Sequence, residues 1–69
     1  MVANRRLPNV IEVMPMIRQL FAAEHCEVSP YSDAEIAAAM LELCPDLTAW
    51  WLSPDHLRST FRLLQTRST

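Results

Sequence analysis

The stretch SDAEIAAAMLELCP, residues 32–45, followed after a short apolar connection by SPDHLRSTFRLL, residues 53–64, decides the fold. Ser32 stands three residues before Glu35, the S-x-x-E spacing in which a hydroxyl and a carboxylate satisfy two otherwise orphan backbone donors at a helix start. Ile36, Met40 and Leu43 then recur on one helical face, flanked by Ala37 and Leu41 and followed by Cys44, while Asp33, Glu35 and Glu42 fall on the solvent side. Pro45 stops the helix. Ser53-Pro54-Asp55 opens the next one with a hydroxyl cap, a proline where its missing N–H costs nothing, and a carboxylate facing the positive end of the helix dipole. Leu57, Phe61 and Leu64 supply its buried stripe, and His56, Arg58, Ser59, Arg62, Gln65 and Thr66 its polar face. Those polar side chains are of the types that hydrogen-bond phosphates and base edges.

Upstream, Val10, Val13, Met14, Ile17, Leu20 and Phe21 follow a helical period toward Glu24, with Asn9 as a cap and Glu12 three residues on. Pro15 interrupts it. A mid-helix proline removes one backbone bond and clashes with the carbonyl four residues back, so the helix is kinked there or begins near Pro15 with residues 10–13 extended. Residues 25–31 form a connection containing Pro30, and Tyr31 is placed to staple against Ile36. Residues 46–52 hold Leu47, Trp50, Trp51 and Leu52, too apolar for an idle loop. A short helical turn capped by Asp46 or Thr48 is expected, with one indole in the core and the other part-exposed, since adjacent helical residues point about 100° apart.

These elements predict an all-α domain of three to four helices over residues 9–69, preceded by a flexible arm over residues 1–8. The composition agrees: 51% of the 69 residues are hydrophobic and 20% charged, too apolar for disorder. Glycine is absent, which excludes phosphate-cradling loops of the P-loop or dinucleotide type and makes an all-β fold improbable. A chain this short builds a small core, so a homodimer is expected. No apolar run reaches membrane-spanning length and no signal-peptide core follows Arg5 and Arg6, which predicts a cytoplasmic protein with Cys26 and Cys44 as reduced thiols, Cys44 in the core.

No catalytic, cofactor or metal site is expected. His25, Cys26, Cys44 and His56 lack the paired spacing of a zinc site, and Ser53, Asp55 and His56 lie too close together on one helix start to converge as a triad. Function is therefore read from charge. The chain has a formal net charge of −2 and all six of its basic side chains are arginines. Residues 1–20 carry Arg5, Arg6 and Arg18 against Glu12, and residues 47–69 carry Arg58, Arg62 and Arg67 against Asp55. Between them lie Glu24, Glu27, Asp33, Glu35, Glu42 and Asp46 with no arginine. Basic ends suit nucleic acid, and an acidic middle suits a basic partner.

The run Ser32-Asp33-Ala34-Glu35-Ile36-Ala37-Ala38-Ala39-Met40, a turn, then residues 53–64 resembles the helix-turn-helix core of small bacterial and phage regulators. It covers about half the chain. It departs from compact members in its longer connection, from Pro45 through Leu52, in lacking glycine there, and in ending too soon for a β-hairpin wing. The resemblance implies a dimeric DNA-binding transcription regulator in which Arg58, Ser59, Arg62 and Gln65 face the major groove, with Arg5 and Arg6 on the backbone. The alternative is a small protein-binding regulator or phage-type inhibitor acting through its acidic face and Trp50 and Trp51, a residue type enriched at binding hot spots.

Overall fold

The computed structural model describes residues 10–46 and 49–68, apart from the side chains of Ala49, Trp50 and Ser68. It is all-helical, with no strand among the described residues. Among the described residues the longer elements are the α-helices α1 (Met14–Ala23), α2 (Asp33–Leu43) and α3 (Pro54–Ser68), with a 3-10 turn, η1 (Ala49–Leu52), between α2 and α3. Helix α3 packs chiefly along α2 and also touches η1 and α1. The arm, the Asn9 cap, Arg5, Arg6, Leu47 and Thr48 lie outside the described residues, as does the Trp50 side chain.

Pro15 sets the start of α1. Residues 10–12 form a helical turn of their own, in keeping with the interrupted helix and not with the extended lead-in that Pro15 also allowed. The chain breaks at Val13 (φ −102°, ψ 14°), which caps α1 and accepts from the N–H groups of Met16 and Ile17 at 3.0 Å. Pro15 thus sits in the first turn, where its missing donor has no intrahelical partner to lose. Val10, Met14, Ile17 and Phe21, alternating four and three residues apart, are all buried.

The end of α1 is a Schellman motif without glycine. Cys26 N–H donates to Phe21 O at 2.9 Å and His25 N–H to Ala22 O at 3.0 Å, while His25 takes the left-handed conformation at φ 61°. Phe21 and Cys26 both belong to the core cluster, which gives the motif its usual apolar brace. The connection from α1 to α2 then buries Val28 and half-buries Tyr31 against the same cluster, which also contains Ile36.

Helix α2 opens as its spacing predicts. Glu35 N–H donates to Ser32 Oγ at 3.1 Å, and Ser32 N–H donates to Glu35 Oε1 at 2.9 Å. It buries Ile36, Ala37, Ala39 and Met40, and Cys44 just beyond it. Leu43, expected on the same stripe, is 38% exposed. Its angular position is right, but it is the last residue of the helix and stands at the rim of the packed face. Helix α3 starts on Ser53, whose Oγ accepts from His56 N–H at 3.2 Å and whose carbonyl accepts from Leu57 N–H at 3.0 Å. Leu57 and Leu64 are buried, and Phe61 and Leu63 pack half-buried against the core. Trp51 and Leu52 of η1 also rest against it.

Candidate interaction surfaces

The outer side of α3 follows from the stripe beneath it. With Leu57, Phe61 and Leu64 held inward, Asp55, Arg58, Ser59, Arg62, Gln65 and Thr66 are exposed in a row along the other side. These residues include the four that the sequence assigned to base reading. His56, assigned to the same polar face, is instead fully buried. Its Nε2 lies 3.0 Å from Met40 O, near the end of α2, and its Nδ1 faces Trp51 O in η1. The reason is angular: α3 is covered by both α2 and α1, so its buried arc widens past Leu57 to take in His56 and Thr60. The widening leaves Thr60 fully buried with no hydrogen-bond partner for its hydroxyl.

Most of the described arginines are engaged. Arg58 reaches Glu24 Oε1 with Nη1 at 2.7 Å and Asp55 Oδ1 with Nη2 at 3.0 Å, spanning the C-cap of α1 and the first turn of α3. Arg67 is ion-paired with Glu42 of α2. Arg18, which the sequence presents only as one of several charges, closes the connection between α1 and α2. Its Nε and Nη2 donate to Asp33 Oδ1 at 2.9 and 2.7 Å, its Nη2 to Tyr31 O at 2.8 Å and its Nη1 to Val28 O at 3.3 Å. Nothing in the spacing of Arg18 and Asp33, fifteen residues apart, announces that clamp. Among the described arginines, Arg62 has no acidic partner. Glu12, Glu27, Glu35 and Asp46 have no cationic partner among the described residues.

The acidic middle therefore keeps an excess of negative charge on the α1–α2 connection and on α2. Beside it runs a groove of about 560 Å³, walled by Pro30, Tyr31, Ala34, Glu35 and Ala38 on one side and by Leu64 and Arg67 of α3 on the other. Ala34 and Ala38, one helical turn apart on α2, are exposed and give it a shallow apolar floor.

The remaining reactive groups are quiet. Cys26 is buried, with Sγ 3.6 Å from Glu24 O. Burial first and the Glu24 carboxylate second push its thiol above the ordinary 9.0, against an opposing pull from Arg58. A thiol so protonated is a poor nucleophile at neutral pH. Cys44 is also a buried free thiol. No group of His, Cys, Asp and Glu side chains among the described residues is arranged to hold a metal ion, and no described helix is long and apolar enough to cross a membrane. No family model, curated protein or solved structure matches the chain.

Proposed function

We propose that this chain is a small helical protein-binding module, a regulator or inhibitor that meets its partner through the acidic side built by the α1–α2 connection and α2. One observation carries the reading: Arg18, Arg58 and Arg67 are each spent on carboxylates of the same chain. Phosphate neutralisation supplies much of the affinity of DNA binders, and their domains normally present a strong basic field. Here Arg58 has to leave two carboxylates before it meets a phosphate, and Glu24 and Asp55 would then face the DNA uncompensated. A basic protein surface has the opposite relation to this charge pattern. Trp51, half-buried over the core, and Trp50 beside it in sequence would add aromatic area to such an interface.

The second reading, a dimeric DNA-binding regulator, is favoured by the exposed row of Ser59, Arg62 and Gln65 along α3. At fifteen residues α3 is about 22 Å long, enough to lie in a major groove of about 12 Å width. The two readings separate in one titration. Fluorescence anisotropy with a mixed-sequence duplex at low ionic strength is expected to show no salt-sensitive binding. Salt-sensitive binding that disappears when Arg58→Ala and Arg62→Ala are combined would overturn the proposal in favour of DNA.

A further inference from the structure

Resting on the protein-binding reading, we infer that the groove between the α1–α2 connection, α2 and the last turns of α3 docks a basic amphipathic helix of a partner protein. Its volume of about 560 Å³ lies within the range of well-formed binding clefts, about 300–1,000 Å³. Its floor suits a helix. Ala34 and Ala38 lie four residues apart on the outside of α2, and side chains that small let a second helix approach closely. Pro30 and Tyr31 wall one side and Leu64 the other, so apolar anchors at one-turn spacing meet apolar surface.

Charge selects the occupant. The groove's one cation, Arg67, is neutralised by Glu42, whereas Glu35 on its wall and Glu27, three residues before Pro30, have no cationic partner among the described residues. An apolar helix flanked by Lys or Arg therefore gains at the rim, and one flanked by Asp or Glu is repelled. A second copy of this chain is the poorer match: Phe61 and Leu63, which flank Arg62, are half-buried against their own core, Val13 and Met16 at the start of α1 lie beside Glu12 and Gln19, and Leu43 lies beside Glu42.

The probes are a Leu/Lys-patterned amphipathic peptide and its Leu/Glu counterpart, titrated into the isotope-labelled full chain and followed by backbone amide shifts. The Leu/Lys peptide is expected to bind and to shift Tyr31, Ala34 and Ala38, and the Leu/Glu peptide to bind at least tenfold more weakly. Ala38→Gln fills the groove at an exposed helical position where glutamine is well tolerated, and is expected to cost at least tenfold in affinity. Ala34→Gln is measured in parallel, each variant being checked by its thermal melt. Failure of the Leu/Lys peptide to bind, equal affinity for the two peptides, or affinity unchanged in whichever variants fold overturns the groove. Binding that shifts only the outer row of α3 also overturns it but leaves the protein-binding reading standing, whereas salt-sensitive DNA binding removes that reading as well.

Discussion

At Thr60 the chain buries a hydroxyl that makes no hydrogen bond, and a buried orphan polar group costs about 1–3 kcal/mol. Thr60→Val keeps the shape and removes the orphan, so it is expected to stabilise the fold by about 1 kcal/mol, read as a higher denaturation midpoint at unchanged slope. His25 is a comparable case in the backbone. A non-glycine residue in the left-handed region costs roughly 1–2 kcal/mol, partly offset in a His25→Gly variant by the greater freedom of the unfolded chain. A net gain of about 0.5–1 kcal/mol is expected, and a loss would show that the His25 side chain holds the turn by some other means. Cys26 gives an alkaline signature. Its folded-state thiol titrates above the ordinary 9.0, so the unfolded chain loses its proton first. The stability tied to that thiol is complete below about pH 9 and drains away as pH rises from there through the folded value. Cys26→Ala is expected to flatten that part of the pH–stability curve, and an unchanged slope would assign it to other groups.

Among the elements, the helices that start on a hydroxyl were legible because capping is local: Ser32 with Glu35, and Ser53 with Pro54, announce themselves within four residues. What the sequence hid depends on distant neighbours. His56 reads as polar because its partners, Met40 O and Trp51 O, are backbone groups that no side-chain pattern encodes. Arg18 reads as one charge among several because its partners, Val28 O, Tyr31 O and Asp33, lie in the connection and at the first residue of α2, which no period links to it. That clamp yields a prediction at its own scale. Arg18→Met keeps the stem and removes the guanidinium, leaving Tyr31 O and Val28 O without this donor. A destabilisation of about 1–2 kcal/mol is expected, with faster proteolysis confined to residues 24–32. Full stability in that variant would reduce the clamp to a surface ion pair. The turn at residues 10–12 shows the opposite limit, since Pro15 announced an interruption but left both a coiled and an extended chain open before it.

For the whole molecule, the all-α class follows from apolar period and the lack of glycine, both properties of the sequence itself. The candidate surfaces were only half legible. The exposed row of α3 comes directly from its leucines, but whether Arg58 is available depends on Glu24 at the cap of α1 as well as on its neighbour Asp55, and whether Arg67 beyond the row is available depends on Glu42 of α2. The groove was not legible at all: Ala34 and Ala38 read as helix-forming filler until Leu64 and Arg67 stand opposite them. Breaking the internal pairing offers a test at this scale. Glu24→Gln, Asp55→Asn and Glu42→Gln together release Arg58 and Arg67 and raise the net charge by three, so any non-specific affinity for duplex DNA should rise above that of the unaltered chain. No rise would mean that availability of those arginines is not what limits contact with nucleic acid.

The buried imidazole at position 56 ties the end of α2, the 3-10 turn and the first turn of α3 into one knot. Such a knot cannot loosen at one strand without freeing the others. In deuterated water the Cys44 and Leu57 amides, which close the helix ends on either side of it, should therefore trade their protons at a common slow rate set by global opening. Amides around Val13, held by a single turn ahead of Pro15, should exchange early and on their own.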